Sequence, residues 1–126
     1  MAVDILLVDD DPVQGGTRKA ILDRAGLFAA VVSHGQDALN FLQTAEGLGV
    51  RMVVSDHLMP GMNGPEFVKA LRKAGYGFPV LVLSGYPDAE DDYNSLDVAF
   101  RVKPFPPDQL IAFAQYLLNS FERRSA

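Results

Sequence analysis

The sequence contains no cysteine, which excludes a disulfide framework and a metal site built from thiolates. Long apolar runs are also missing, since none approaches the roughly 18 residues needed to span a bilayer. The start, Met1–Asp4, has no basic stretch leading into an apolar one, so no signal peptide is visible. These absences together predict a cytoplasmic protein without a membrane partner.

Positive charge is scarce. There are 11 Lys and Arg residues against 16 Asp and Glu residues, which gives a net charge of -5. The basic residues are scattered along the chain, and the pair Arg123-Arg124 lies near the carboxyl end. Nonspecific binding to nucleic acid needs a basic face, so we expect no nucleic-acid binding by this chain alone. A length of 126 residues predicts a single domain over residues 1–126.

Short apolar runs alternate along the chain with segments of helical period. The runs are Ile5–Val8, Phe28–Val32, Met52–Val54, Val80–Leu83 and Ala99–Val102. Continuous rather than alternating apolar runs are typical of strands covered on both faces, as in a parallel sheet. The sequence therefore predicts an α/β fold of (βα)₅ type, a doubly wound five-stranded parallel sheet with helices on both faces.

The intervening segments are predicted to be helices. Asp11 can cap the first with Pro12 at its first position, although Gly15 and Gly16 weaken it. The fourth begins at Pro87 and carries acids in its first turns, where the helix dipole favours them. The apolar stripes of helices two to five are Ala38, Phe41, Leu42 and Ala45; Phe67, Val68 and Leu71; Ala89, Tyr93 and Leu96; and Leu110, Phe113, Ala114, Leu117, Leu118 and Phe121.

Polar residues follow four of the predicted strands, at the sheet edge where such folds bind ligands. They are Asp9, Asp10 and Asp11 after strand one, Asp56 after strand three, Ser84 after strand four and Lys103 after strand five. Each alone is more often a cap or turn residue, but their joint placement favours a functional site. Several carboxylates near one point repel each other unless a cation lies among them, and oxygen ligands suit Mg²⁺. A carboxylate nucleophile surrounded by cations and hydrogen-bond donors is what phosphoryl transfer needs.

A family resemblance covers about residues 4–121 and rests on four segments. They are Ile5–Pro12, Ser55–Gly64, Leu83–Tyr86 and Lys103–Phe105. In this order and spacing the chain resembles a response-regulator receiver domain of two-component signalling. The resemblance implies a flavodoxin-like sheet with strand order 2-1-3-4-5. It also implies a self-phosphorylating phosphoacceptor with slow autodephosphorylation, and not a turnover enzyme.

The resemblance assigns chemical roles to the strand-end residues. It implies that Asp56 takes a phosphoryl group from a phosphohistidine. It implies that Asp9, Asp10, Asp56 and the backbone carbonyl of Leu58 bind Mg²⁺, with Asp10 a direct ligand. Lys103 is implied to contact the phosphoryl group or Asp56. A cis bond between Lys103 and Pro104 is implied to aim the Lys103 ammonium inward.

Further residues are assigned to switching and to the phosphoryl lifetime. The resemblance implies that Ser84 moves toward the phosphoryl group while Phe100 turns inward. It implies that Leu58 and Tyr86, two residues after Asp56 and Ser84, tune water access to the acyl phosphate. Both are bulky, and neither is acidic or an amide. His57 is expected to point away from the site if the strand stays extended there, as a bystander.

The resemblance also implies partners. The phosphodonor would be a histidine kinase or a histidine phosphotransfer protein. Output would pass by protein contact through the surface formed by the fourth helix, fifth strand and fifth helix, because Ser84 and Phe100 report to it. A second copy of the chain, giving a homodimer, is a further candidate partner.

Two other interpretations remain open on the sequence. Asp9–Val13 fits the opening motif of haloacid-dehalogenase-type phosphatases, with Ser84 and Lys103 in the next two roles and Asp9 as nucleophile. That family places a further strand with acids after the lysine, whereas here Pro106-Pro107 and one last helix follow. A pseudo-receiver, which has the fold without phosphorylation, usually lacks part of the acid, serine and lysine set that this chain has complete.

Overall fold

The computed structural model describes residues 2–125. Its strands are β1 (Ile5–Val8), β2 (Ala29–Val32), β3 (Met52–Asp56), β4 (Val80–Ser84) and β5 (Ala99–Val102). Its α-helices are α1 (Pro12–Arg24), α2 (Gly35–Leu42), α3 (Gly64–Lys73) and α4 (Pro107–Ser125). Short 3₁₀ segments cover Glu46–Gly49 and Pro87–Tyr93, and we call the second the acidic 3₁₀ segment. Among the helices of residues 2–125, none has the length and hydrophobicity of a membrane span.

The strands form one parallel sheet in the order β2-β1-β3-β4-β5, as the resemblance implies. Strands β1, β3 and β4 are buried along their whole length, because helices cover both faces of the sheet. Phe67 and Leu71 of α3 pack on one face, whereas Leu22 of α1 and Leu118 of α4 pack on the other. The predicted doubly wound fold is confirmed.

The fourth predicted helix differs from expectation. It is a 3₁₀ segment that ends at Tyr93, so Leu96 lies beyond it in a loop. Ser95 and Asp97 have φ values of 69° and 54°, a left-handed conformation that cannot continue a right-handed helix. The expectation of a helical stripe through Leu96 was therefore wrong. Helix α2 likewise ends at Leu42, before Ala45.

Two helices begin beside the carboxyl edge of the sheet with well-defined caps. The Asp11 side chain accepts hydrogen bonds from the backbone N–H groups of Val13 and Gln14 at 3.0 and 3.3 Å, as predicted. Asn63 and Glu66 form a reciprocal capping box at the start of α3, with N···O distances of 2.9 and 3.0 Å. These caps hold the starts of α1 and α3 close to the ends of β1 and β3.

Arg72 connects two loops at the opposite edge of the sheet. Its guanidinium donates to the carbonyl oxygens of Tyr76, Phe78, Leu96 and Asp97 at 2.8–3.0 Å. The first two carbonyls lie between α3 and β4, and the other two lie between the acidic 3₁₀ segment and β5. One side chain thus joins the connection before β4 to the connection before β5.

Candidate functional site

Three carboxylates meet at the ends of β1 and β3 and form what we call the acidic pocket: Asp9, Asp10 and Asp56. Strand β1 pairs with β3 so that Val8 lies opposite Ser55, which brings the following residues together. One carboxylate oxygen from each acid lies within 4.8 Å of the other two. Asp9 and Asp56 are buried, at 2% and 3% exposure, and Asp10 is exposed. The pocket could therefore hold a metal ion and remains open to solvent on the Asp10 side.

Lys103 contacts the acidic pocket from β5. Its Nζ lies 3.0 Å from Asp56 Oδ1. The Lys103 backbone N–H donates to the Ser84 carbonyl at 2.8 Å, and the Lys103–Pro104 bond is cis, as the resemblance implies. The structure therefore brings the predicted lysine and the predicted nucleophile into direct contact.

The Ser84 hydroxyl and the Phe100 ring, which the resemblance assigns to switching, both have partners within the domain. Ser84 Oγ accepts a hydrogen bond from the Tyr86 backbone N–H at 2.9 Å and lies 3.3 Å from the Tyr86 carbonyl. Phe100 is 7% exposed, and its ring centroid lies 6.0 Å from that of Tyr93. The Phe100 ring is therefore buried against Tyr93, and its role in switching stays a prediction.

The two residues expected to tune water access face solvent. Leu58 is 59% exposed and Tyr86 is 58% exposed. Leu58 belongs to the loop between β3 and α3, and Tyr86 directly precedes the acidic 3₁₀ segment. Their effect on water and the metal contact of the Leu58 carbonyl stay predictions.

Arg18 is the pocket residue that the sequence analysis missed. Its Nη1 lies 3.0 Å from Asp9 Oδ2 and 3.3 Å from Asp56 Oδ1, and the side chain is 14% exposed. Its Nη2 donates to Gln14 Oε1 at 3.1 Å, and Gln14 Nε2 lies 3.5 Å from Asp56 Oδ2. Gln14 and Arg18 are four residues apart on α1 and so share a helix face. That spacing, on a helix that starts beside the pocket, was the available signal.

The electrostatics of the pocket are those of crowded carboxylates. Burial raises the pKa of Asp9 to about 7, and the hydrogen bond and negative charge of Asp56 add to the rise. Two groups oppose this rise in the pKa of Asp9. The Asp11 N–H donates to Asp9 Oδ1 at 2.9 Å, and the Arg18 guanidinium is positively charged. The metal-free pocket thus favours a proton or a cation beside Asp9.

His57 points away from the acidic pocket, as the strand geometry predicts, but it has a partner. Its Nδ1 lies 2.6 Å from Tyr93 Oη, and the two rings meet edge to face at a centroid distance of 5.5 Å. Its Nε2 lies 4.0 Å from Asp92. A side-chain carbon at Gly64 would overlap the Tyr93 hydroxyl, so only glycine leaves room for this contact. The sequence analysis missed this link between β3 and the acidic 3₁₀ segment.

Comparison with known families gives one match over most of the chain. The family described as the response regulator receiver domain matches residues 5–115. This range contains the acidic pocket, Lys103 and Arg18.

Individual relatives agree with this match. The chain is 31% identical over 121 residues to transcriptional regulatory protein FixJ of Bradyrhizobium diazoefficiens, covering 94% of this chain and 58% of that protein. It is also 31% identical over 124 residues to an uncharacterized 14.6 kDa protein of Leptolyngbya boryana, covering 94% and 92% of the two chains. Against FixJ and several other curated relatives, the chain spans only about half of the relative's length.

Among solved structures, the chemotaxis response regulator CheY4 of Vibrio cholerae is similar in sequence and fold. It matches with a TM-score of 0.81 and 29% sequence identity, over 93% of this chain and 99% of that chain. A receiver protein from Sinorhizobium medicae matches with a TM-score of 0.80 and 30% identity.

Proposed function

Because the chain belongs to the family of response regulator receiver domains, we propose that it is a phosphoacceptor of a two-component or phosphorelay system. In the proposed reaction Asp56 takes a phosphoryl group from a phosphohistidine of a histidine kinase or a histidine phosphotransfer protein. The observation that carries this proposal is the position of Asp56. It is a buried carboxylate with Lys103 Nζ at 3.0 Å, in a pocket shared with Asp9 and Asp10.

The proposed chemistry follows from these neighbours. A carboxylate oxygen of Asp56 forms a bond to phosphorus as the P–N bond of the phosphohistidine breaks, and the imidazole leaves. Lys103 supplies positive charge beside Asp56, where it can contact an equatorial oxygen of the transferred group. Ser84 can donate a hydrogen bond to a second oxygen once its hydroxyl turns from Tyr86.

The acidic pocket suits Mg²⁺ in its donor set. All of its ligand atoms are carboxylate oxygens, and the exposed Asp10 side leaves space for water in the coordination shell. Asp9, Asp10 and Asp56 would hold the ion, with the Leu58 carbonyl as a further proposed ligand. When bound, Mg²⁺ neutralises negative charge on the phosphoryl oxygens.

We propose that output passes through the surface formed by the acidic 3₁₀ segment, β5 and α4. Tyr93 supports this because it contacts both His57, next to the nucleophile, and Phe100 on β5. Val102 and Tyr116 on β5 and α4 are 40% and 62% exposed and are available to a protein partner or to a second copy of the chain.

The phosphoacceptor is tested by labelling with a small acyl phosphate and Mg²⁺. We expect one acid-stable, base-labile phosphoryl group, detected as a mass increase of the intact protein. Asp56→Asn should abolish the label, whereas Asp88→Asn, an exposed acid of the acidic 3₁₀ segment, should keep it. A label that persists in Asp56→Asn would contradict the proposal. If the phosphate maps to Asp9, the dehalogenase-type alternative is favoured instead.

A further inference from the structure

The acidic pocket contains a cation that belongs to the chain itself. A single nitrogen, Arg18 Nη1, lies 3.0 Å from Asp9 Oδ2 and 3.3 Å from Asp56 Oδ1. Because Nη2 of the same guanidinium donates to Gln14 Oε1 at 3.1 Å, the group is held at both ends of its fork. Arg18 therefore bridges the two buried carboxylates of the pocket.

The path of α1 explains how this side chain reaches the pocket. Long helical side chains lean toward the helix amino terminus, which here lies beside the pocket. At Gly15 an added side-chain carbon would lie 2.9 Å from Val31 Cγ1 and 3.6 Å from Asp9 Cβ. The glycine thus lets the first turns of α1 pack against β2 and the end of β1. Arg18, one turn later, then lies within reach of both carboxylates.

Arg18 and a divalent metal ion would both use the carboxylates of Asp9 and Asp56. Mg²⁺ requires a near-octahedral shell at about 2.1 Å from its oxygen ligands, which leaves no room for a guanidinium on the same carboxylate atoms. Arg18 and Lys103 already place two positive charges against these carboxylates. Adding two further positive charges next to the guanidinium is unfavourable by Coulomb's law.

We propose that Arg18 is a resident counter-ion that competes with Mg²⁺ for Asp9 and Asp56, so that the metal binds only as the guanidinium leaves. This rests on the proposed function, because it concerns the metal of the same pocket. Arg18 then sets how much Mg²⁺ the domain needs before Asp56 can accept a phosphoryl group. Arg18 is a positioning residue, because it acts by occupying the carboxylates of Asp9 and Asp56 and not by contacting the phosphoryl group.

The competition is tested by measuring Mg²⁺ affinity directly, in metal-stripped protein, by calorimetry and by titration of backbone amide resonances. Arg18→Gln removes the charge and keeps a polar side chain. We expect it to bind Mg²⁺ about tenfold more tightly than the parent, because charge-assisted hydrogen bonds no longer have to be broken. Arg18→Lys keeps the charge without the fork and should have an intermediate affinity.

Lys19→Gln is the matched control. It removes the same charge from the next residue of α1, where Lys19 Nζ is bound to Asp23 at 2.6 Å. Solvent and salt screen exposed charges over distance, so its Mg²⁺ affinity should stay close to that of the parent. Tighter binding in Lys19→Gln equal to that in Arg18→Gln would overturn the proposal, since net charge alone would then explain both.

The remaining outcomes separate this proposal from the proposed function. Equal or weaker Mg²⁺ binding in folded Arg18→Gln overturns the competition, whatever happens at Asp56. If Arg18→Gln does not fold without metal, equal or weaker binding in Arg18→Lys overturns it. Tighter binding together with failure to label Asp56 would support the competition and overturn the phosphoacceptor assignment instead.

Discussion

His57 Nδ1 lies 2.6 Å from Tyr93 Oη, so the residue next to Asp56 is hydrogen-bonded to the acidic 3₁₀ segment. The Tyr93 ring in turn lies 6.0 Å from the Phe100 ring of β5. Burial and the nearby Asp92 raise the pKa of Tyr93 above its ordinary value, so its hydroxyl stays protonated at neutral pH. A continuous set of contacts therefore joins the end of β3 to β5.

Removing the Tyr93 hydroxyl should weaken this link. Tyr93→Phe keeps the ring but leaves the largely buried His57 Nδ1 without its partner. We expect a loss of about 1 kcal/mol in the free energy of unfolding, measured by urea denaturation. Tyr116→Phe makes the same chemical change at a residue that is 62% exposed, and should cost almost nothing. Equal stability of Tyr93→Phe and the parent would show that the contact contributes little.

The raised pKa of Asp9 predicts a pH dependence of stability in metal-free protein. The folded-state pKa of about 7 lies above the ordinary value of 3.8, so the folded protein holds a proton that the unfolded chain releases. The free energy of unfolding should therefore fall as pH rises from about 4 to about 7. Asp9→Asn should flatten this part of the profile, measured by urea denaturation in the presence of a chelator. An unchanged slope in Asp9→Asn would contradict the assignment.

The phosphoryl group on Asp56 should be long-lived. Leu58 and Tyr86 carry neither a carboxylate nor an amide to orient a water molecule for attack, and we expect their bulk to hinder its approach. Replacing both with small polar residues, as in Leu58→Asn with Tyr86→Ser, should speed dephosphorylation severalfold, followed by intact mass after the donor is removed. Tyr116→Ser serves as the control and should leave the rate unchanged. A double variant as slow as the parent, or slower, would refute this explanation.

Asp10 should matter for metal binding more than for folding. It is exposed, so Asp10→Ala removes a carboxylate at no packing cost and relieves repulsion in the pocket. We expect weaker Mg²⁺ binding and slower labelling of Asp56, with equal or greater stability of the metal-free protein. Mg²⁺ affinity equal to that of the parent, measured by calorimetry, would rule out Asp10 as a ligand.

Much of the pocket could be predicted because its residues follow directly from strand ends. Once Ile5–Val8 and Met52–Val54 are recognised as neighbouring parallel strands, Asp9 and Asp56 must meet, and Lys103 is placed by the same rule. Arg18 was not predicted from the sequence, because an arginine in the second turn of a helix is usually solvated. The spacing of Gln14 and Arg18 places both on one face of α1, but the close packing of α1 on the sheet at Gly15 is what brings that face to the pocket.

The fourth helix shows where local patterns mislead. Ala89, Tyr93 and Leu96 have helical spacing, but the segment ends at Tyr93, the next residue Asn94 has a ψ of 135°, and Ser95 is left-handed, so Leu96 lies outside it. Aspartate, asparagine and serine favour turns over helix interiors, and residues 87–97 contain four aspartates, Asn94 and Ser95. The contact of His57 with Tyr93 depends on where the acidic 3₁₀ segment packs and on the space at Gly64. Neither can be predicted from the spacing of apolar residues in the sequence.

The four carbonyl contacts of Arg72 have a consequence for the lifetimes of different parts of the sheet. The carbonyl oxygens of Leu96 and Asp97 both accept hydrogen bonds from this one guanidinium. We therefore expect the loop and the adjoining edge strand β5 to open more readily than the central strands β1 and β3. Amide protons of Phe100 and Val102 should exchange with solvent well before those of Leu6 and Val53. Arg72→Ala should increase this difference in exchange rate. The face proposed to carry the signal would then be one that a partner can reshape without unfolding the centre of the sheet.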